Sequence, residues 1–268
     1  RFRKRIPSIP LFQLGFFVGT ALFLAQLAGQ RLEHYDNFSH WAVVVKGMLS
    51  TDAFPTPYDD LIDFKNYPLG TSSFIYYICR FAGNAQPVML IAQGVLIFAA
   101  FYAIFGIIGQ RRRFLLYAFL GLGLSTLSFF NLTVRINNLL VDFLLPILTL
   151  AIFAAAYRYR GELAKACLVI APTAGLLTVV KTTGIVFAAI GLLYFLFMAI
   201  RHARGPFWRN ALQGVGTIAF TLLPYFGWNR RMAGDFAQVD NKFDVSPTAL
   251  DGLDAGKTAE DMQHIVRL

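Results

Sequence analysis

Residues 87–109, PVMLIAQGVLIFAAFYAIFGIIG, form a run of 23 amino acids without a charged side chain. A helix of about 20 apolar residues is long enough to cross the roughly 30 Å hydrocarbon core of a bilayer. The rest of the chain has the same character, since 56% of its residues are hydrophobic and 15% are aromatic. Its charged fraction of 15% lies below the roughly 25% of a soluble domain. The composition therefore predicts an all-α, polytopic membrane protein.

Membrane-spanning candidates recur along the chain. Seven apolar runs are long enough to cross a bilayer, at about residues 10–29, 87–109, 114–134, 139–157, 164–180, 183–200 and 211–228. An eighth run, about 69–83, is shorter and mixes Ser, Thr and Tyr with apolar residues. Because it opens at Pro68 and Gly70 and ends near Arg80, it is typical of an amphipathic helix at the interface. A short span is the alternative.

The basic residues sort the loops by side, because Lys and Arg accumulate in short cytoplasmic loops. If 69–83 does not span, the cytoplasmic segments 1–5, 111–113, 158–165 and 201–209 hold 13 of the 24 basic residues and only one acid, Glu162. If it spans, the triple-arginine segment moves outside and the bias breaks. The charge pattern thus predicts seven spans in the cell (inner) membrane, with a cytoplasmic N-terminus.

The predicted organisation has two parts. Residues 1–228 form the membrane domain, whose first outer loop covers 31–86, and residues 229–268 form an extracytoplasmic loop or tail with little periodicity. A chain that begins without Met is consistent with a piece of a longer membrane protein. Cys79 and Cys167 both lie in apolar context, which indicates neither a disulfide framework nor a metal cluster. The net charge of +9 follows from the loop bias, so no nucleic-acid partner is expected.

The first outer loop opens on HYDNFSHWAVVVKG, residues 34–47, which concentrates polar chemistry beside the first span. Apolar residues between 37 and 49 recur at three- and four-residue intervals, which predicts a short helix lying on the bilayer by its apolar face. The same spacing puts Asp36 and His40 on one helix face. Asp36 has two interpretations, a helix N-cap or a carboxylate that shares a proton or a divalent cation with His40. Since no third ligand is evident, we assign no metal site, and a cation requirement stays open.

Two ionisable residues interrupt the apolar runs, where such groups are costly and are functional candidates. Asp142 lies about one turn inside the outer end of the fourth span, and Lys181 lies at the outer junction of the fifth and sixth spans. The non-functional alternatives are a salt bridge from Asp142 to Arg135 and a Lys181 side chain that snorkels to the interface. The predicted topology brings these residues and Asp36 to the outer surface. There a cation suits a lipid phosphate, and a carboxylate suits a hydroxyl or amine that must lose a proton.

On these residues the chain resembles the N-terminal membrane region of GT-C superfamily glycosyltransferases, similar to the aminoarabinose transferase and protein O-mannosyltransferase families. The likeness covers about residues 10–200. YDNFSHWAVVVKGML matches the acidic first-loop motif with its juxtamembrane helix, and FKNYPLGTSSFIYYI matches the Pro-containing turn before a second interfacial helix. Asp142 in NNLLVDFLL matches the second acidic position, and Lys181 in GLLTVVKTTG matches a Gly-Leu-x-x-x-x-Lys element. The chain departs from the pattern at Asn37, where a second acid is often found, and at Pro68-Leu69, where a double proline is.

The resemblance implies a GT-C-like glycosyltransferase that moves a sugar from a polyprenyl-phosphate donor to a glycan, lipid or protein acceptor outside the cytoplasm. It implies that Asp36 is the general base or orients the acceptor, and that Asp142 is a second catalytic carboxylate. Lys181, with Arg135, would neutralise the leaving phosphate as its charge develops. The further substrate-binding candidates are His40, Lys46 and Tyr67.

Two other classes of protein fit parts of the pattern. A transporter or flippase of a lipid-linked or small anionic substrate would use Asp142 and Lys181 as a substrate or proton path. Such proteins often contain paired repeats with a site at the midplane, and this sequence has no evident repeat. A membrane scaffold would use the aromatic-rich outer loop to dock partners, which leaves the two interrupting charges unexplained.

Overall fold

The computed structural model describes residues 11–62, 64–109, 113–135 and 137–236, and the side chains of 127–135 lie outside its described part. Within these ranges the chain is helical and contains no strand, which confirms the all-α prediction. A π-helical turn at Asn37–Trp41 leads directly into the second α-helix. The α-helices are α1 (Leu11–Leu27), α2 (Ala42–Thr51), α3 (Gly70–Ala82), α4 (Gln86–Phe105), α5 (Phe114–Arg135), α6 (Leu144–Arg158), α7 (Leu163–Thr178), α8 (Gly184–His202) and α9 (Phe207–Asp235).

Each of the seven predicted apolar runs contains one α-helix. Among the described residues, α4 and α8 are long and apolar enough to cross a membrane by length and composition. Shorter apolar helical segments lie at 11–27, 144–158 and 163–178, and at 114–126, the part of α5 whose side chains are described. The helices thus establish two candidate membrane spans, and the seven-span topology stays a prediction.

The centre of the bundle is α6, which packs against α4, α7 and α8, while α7 also packs against α9. The interior is built from aliphatic and small side chains, and a Cβ atom added at Gly191 of α8 would lie 3.1 Å from Ile152 of α6. The outer faces of several helices are also apolar. Large exposed examples are Leu115, Phe119, Leu193, Ile200 and Leu212. Apolar surface on this scale is typical of contact with lipid or a partner.

The bundle has two chemically different ends, because short loops join α6 to α7, α7 to α8 and α8 to α9 and make neighbours antiparallel. We call one the basic end; its described cations are Arg113, Arg158, Arg160, Lys165, Arg201, Arg204 and Arg209. Its single described acid, Glu162, hydrogen-bonds Lys165, and this bond lowers the pKa of the carboxyl group. We call the other the site end; it carries residues 31–41, 64–70, 137–143 and 179–183. The predicted sorting of basic loops therefore matches a physical asymmetry of the bundle.

The apolar face of the first outer helix is covered by protein. Trp41 and Val45 are buried in the main core, and Met48 is buried in a smaller cluster with Ile62 and Leu69. The prediction that this face lies on the bilayer is therefore wrong. The physical reason is that residues 52–82 fold back over α2 and bury the same apolar stripe that would otherwise need lipid.

The second outer helix, α3, has 13 residues and is about 20 Å long at 1.5 Å per residue. This is shorter than the roughly 30 Å hydrocarbon core. One face buries Ile75 and Cys79, while Tyr77 and Phe81 on the opposite side are exposed. The length and this division favour the interfacial alternative over a span.

A polar contact joins α2 to α3 at the surface. Asp52, in the left-handed conformation with φ 54°, accepts a hydrogen bond from the Tyr76 hydroxyl and lies 3.3 Å from an Arg80 nitrogen. The hydrogen bond to Asp52 raises the pKa of Tyr76. Asp52 therefore ends α2 and fixes its direction relative to α3.

Two helix boundaries differ from the predicted spans by five residues or more. The fourth span was predicted from residue 139, but α6 begins at Leu144, because the Asn138 side chain accepts the Leu140 N–H at 3.0 Å and offers the backbone an alternative to the helix. Asp142 consequently precedes α6 and does not lie one turn inside it. At the other boundary, α9 continues past residue 228 to Asp235. It is held there by Trp228, whose indole N–H donates to Asn66 O at 3.2 Å. The tail from residue 237 onward lies outside the described residues.

Candidate functional site

Four segments that are distant in sequence meet at the site end of the bundle. They are residues 33–41, 64–70, 137–142 and 179–184. Segment 33–41 contacts both 137–142 and 64–70. Segment 179–184 contacts the same two segments, so the arrangement closes on itself. We call this closed arrangement the four-segment ring. It brings the backbone positions of Asp36, Asp142 and Lys181 into one connected structure.

The first contact joins segment 33–41 to segment 137–142. Asn37 is fully buried, and its Oδ1 accepts the Leu139 N–H at 2.9 Å. Glu33 N–H donates to Asn137 O at 3.3 Å, and from α4 the Gln93 amide donates to Leu140 O at 2.9 Å. Leaving a buried N–H without its acceptor costs about 1–3 kcal/mol. Asn37 therefore holds Asp36 beside segment 137–142. In the sequence, Asn37 was noted only because a second acidic residue is often found at this position in the family that the chain resembles.

The second contact joins segment 33–41 to segment 64–70 through aromatic rings. His40 is fully buried, with its ring centroid 4.6 Å from that of Trp41 and 5.4 Å from that of Tyr67. Tyr67, half-buried, stacks on Phe64 at 4.8 Å. His40 and Tyr67 thus belong to the ring as packing groups. The sequence predicted that both residues bind the substrate, and this burial limits their direct access to it.

The prediction that Asp36 and His40 lie on one helix face is wrong. The Asp36 side chain is 43% exposed, whereas His40 points into the aromatic cluster. The reason is tertiary: Phe64 and Tyr67 pack their rings against His40, whereas Asp36 stays at the surface.

The third contact joins segment 64–70 to segment 179–184. Gly70, the first residue of α3, donates its N–H to Val179 O at 2.7 Å. Val179 belongs to the loop that carries Lys181. A Cβ atom at Gly70 would lie 2.6 Å from that same oxygen. On the other side of this loop, a Cβ atom at Gly184 would lie 2.0 Å from Leu177 O. Both approaches need glycine because the neighbouring atoms belong to backbone.

Gly70→Ala is expected to lower the free energy of unfolding by about 1–3 kcal/mol, the usual cost of overpacking, since the Val179 carbonyl must move to admit the methyl group. Thermal unfolding in detergent measures the change. Gly47→Ala is the matched control, because nothing lies within 4 Å of its added Cβ and a helical Gly→Ala change gains about 0.5–1 kcal/mol. Equal effects at the two positions would contradict the close approach.

The fourth contact closes the ring through an ion pair. Lys181 Nζ lies 2.7 Å from Asp142 Oδ1, and the two side chains are 23% and 54% exposed. Lys181 therefore pairs with a defined residue, in place of snorkelling alone. Arg135, the predicted alternative partner of Asp142, ends α5, and its side chain lies outside the described residues. Exposed ion pairs contribute only about 0–1 kcal/mol to stability, so the pair places charge at the surface more than it holds the fold.

Asp36 has a close neighbour that sequence reasoning missed. Its N–H donates to His34 Nδ1 at 3.2 Å, and its Oδ2 lies 3.8 Å from the same nitrogen. The Asp36 side chain makes no capping hydrogen bond to the helix that follows, so the N-cap interpretation is not supported. The only sequence signal for His34 is its spacing of two from Asp36, which predicts a shared side in extended chain but not in a helix.

The remaining predicted residues are placed less centrally. Lys46 is exposed on α2 and belongs to none of the four segments. For a metal, the described residues contain no group of three His, Cys, Asp or Glu side chains that could hold an ion. His34 and Asp36 alone provide two ligands, which is short of the usual coordination of a protein site.

A cavity of about 270 Å³ adjoins the ring between the 66–68 turn, the α7–α8 junction and α9. It lies near the lower end of the roughly 300–1,000 Å³ typical of ligand pockets. Its lining combines amide, hydroxyl and aromatic groups, among them Asn66, Thr178, Thr182, Tyr225, Trp228 and Asn229. Aromatic surface with a few directed polar groups is the composition that orients a small polar ligand. The cavity shares Thr182 with the loop of Lys181, whereas Lys181, Asp142 and Asp36 are not among its lining residues.

Comparisons with known proteins returned no match among protein-family models, curated proteins or solved structures.

Proposed function

We propose that the chain is the membrane region of a glycosyltransferase that moves a sugar from a polyprenyl-phosphate-linked donor to an acceptor on the extracytoplasmic side of the cell membrane. The observation that carries the proposal is the four-segment ring. It links the segments of Asp36, Asp142 and Lys181 through Asn37, Gly70 and the ion pair. These are the segments on which the resemblance to GT-C glycosyltransferases rests.

The proposed membrane placement has seven spans, α1 and α4 to α9, with the basic end in the cytoplasm. The apolar outer faces and the two helices long enough to cross support a bilayer around the bundle. The concentration of cations at one end supports the orientation, since Lys and Arg accumulate on the cytoplasmic side. The site end then faces outward at the level of the lipid headgroups.

In the proposed reaction, an acceptor hydroxyl or amine attacks the anomeric carbon of the sugar. Its proton passes to the Asp36 carboxylate, and the bond between the anomeric carbon and the phosphate oxygen breaks. The electron pair of that bond stays on the polyprenyl phosphate, whose added negative charge is stabilised by the Lys181 ammonium group. Asp142, 2.7 Å from Lys181, orients the ammonium group before the donor arrives.

The 270 Å³ cavity is assigned to the sugar. Tyr225 and Trp228 offer ring faces to the apolar C–H side of a sugar, and Asn66 and Thr182 offer polar atoms to its hydroxyls. Thr182 is next to Lys181 in the chain, which supports binding of the sugar near the phosphate that it leaves.

The experiment is a transfer assay with the full-length protein purified into liposomes. Polyprenyl-phosphate-linked aminoarabinose or mannose is the donor, and a total extract of envelope lipids and proteins is the acceptor. Release of free polyprenyl phosphate, followed by mass spectrometry, is the expected result. Movement of the intact donor between leaflets without release would instead identify a flippase. If neither release nor movement occurs, the result favours a membrane scaffold.

A further inference from the structure

A second and larger cavity lies at the basic end, remote from the four-segment ring. Its volume is about 600 Å³, and it is bounded by residues 107–109, the first turns of α5 and the last turn of α6. Three arginines line it, Arg113, Arg158 and Arg160. Neither the proposed sugar transfer nor its residues use this cavity.

The electrostatics of this cavity favour an anion. None of the described residues that line it is acidic, and the nearby acid Glu162 is hydrogen-bonded to Lys165. Arg160 donates one N–H to Tyr157 O at 2.9 Å, and its guanidinium carbon lies 4.5 Å from the centre of the Tyr157 ring. Both contacts fix the guanidinium plane and leave further N–H donors in the fork geometry that matches phosphate oxygens.

The same cavity opens onto apolar surface. Its lining includes Ile107, Leu116 and Phe119, which are large hydrophobic residues exposed at the surface, Phe119 to 77%. A small inorganic anion would use the arginines and leave these side chains bare. A ligand with a charged head and an acyl chain would use both.

We propose that this cavity binds the phosphate headgroup of an anionic membrane phospholipid, with an acyl chain lying along Leu116 and Phe119. The arginines lie at the end assigned to the cytoplasm, where basic pockets between membrane helices bind anionic headgroups. The inference rests on the membrane placement in the proposed function and is independent of sugar transfer.

The experiment measures lipid retention and thermal unfolding of the purified full-length protein in a neutral detergent. Three probes are added: phosphatidylglycerol, phosphatidylcholine and glycerol 3-phosphate. Phosphatidylglycerol is expected to remain bound in native mass spectrometry and to raise the unfolding temperature, whereas phosphatidylcholine does neither. Equal retention of the two lipids would overturn the proposal, and glycerol 3-phosphate that binds as tightly as phosphatidylglycerol would show a soluble phosphate to be the ligand.

The variants compare two pairs of arginines at the same end. Arg158→Gln with Arg160→Gln is expected to weaken phosphatidylglycerol binding about tenfold or more, since it removes two guanidinium groups that would hydrogen-bond the phosphate. Arg201→Gln with Arg204→Gln is the matched control, because neither residue lines the cavity, and binding should stay within about twofold. If both double variants lose phosphatidylglycerol binding equally, the binding depends on general surface charge, and the proposed site is overturned. If the first pair fails to accumulate, Arg160→Lys serves in its place, since it keeps the charge but loses the fork and should also weaken binding.

The two proposals fail separately in these measurements. Donor turnover by a protein that does not discriminate between the lipids would remove the lipid site alone. Selective retention of phosphatidylglycerol by a protein without donor turnover would remove sugar transfer alone.

Discussion

Asp36→Asn is expected to lower the rate of sugar transfer by about 10²- to 10⁴-fold, the usual contribution of a general base. The substitution keeps the shape of the side chain and removes its capacity to accept a proton. It should leave the folded protein intact, because the Asp36 side chain is partly exposed and makes no capping bond. Release of polyprenyl phosphate by equal amounts of the two proteins measures the effect.

Asp60→Asn is the matched control for this prediction. It lies in the same outer loop, its side chain is 96% exposed, and its carboxylate is 3.5 Å from Lys65. The control makes the same chemical change outside the four-segment ring, so the transfer rate should stay within about twofold, as for most surface substitutions. Wild-type activity of Asp36→Asn would remove Asp36 from the reaction. Equal losses in both variants would point to the charge of the loop.

His34 contacts Asp36 directly. Asp36 N–H donates to His34 Nδ1 at 3.2 Å, and the Asp36 carboxylate lies 3.8 Å from the same nitrogen. His34 is therefore a positioning residue for Asp36. The neighbouring Glu33 N–H donates to Asn137 O and holds this part of the chain in place.

The helices could be predicted from the sequence because apolar runs bounded by charged loops specify them locally. Lys181 illustrates this well. A Lys and two Thr between apolar runs predicted a junction, and α7 and α8 end and begin on either side of it. The asymmetry of basic loops likewise needs no tertiary information, since the direction of each helix alternates along the chain.

The outer loop could not be predicted in the same way. Whether the apolar face of α2 meets lipid or protein depends on where residues 52–82 fold, and periodicity is the same in either case. The burial of Asn37 depends on Leu139, 102 residues away. The burial of His40 likewise depends on Phe64 and Tyr67, which lie in another segment of the chain. Contacts between distant segments decide each of these.

Lys181→Met is expected to lower sugar transfer by about 10²- to 10³-fold, the cost of removing one group that stabilises developing negative charge. The substitution keeps an unbranched side chain of similar length and removes the ammonium group. The free energy of unfolding should change by no more than about 1 kcal/mol, since the pair with Asp142 is partly exposed and such pairs contribute little. A large loss of activity with a small loss of stability is the pattern that separates a charge used in the reaction from one used in folding.

Two further variants show what the Lys181 charge does. Lys181→Arg keeps a cation and should retain more activity than Lys181→Met, although the planar guanidinium does not reproduce the point charge of an ammonium group. Asp142→Asn removes the carboxylate that lies 2.7 Å from Lys181, so it should raise the KM for the donor more than it lowers kcat if Asp142 only orients the cation. A loss of kcat as large as that of Asp36→Asn would instead make Asp142 a catalytic residue. Lys181→Met with full activity would break the link between the ion pair and the leaving phosphate, and with it the mechanism that the four-segment ring supports.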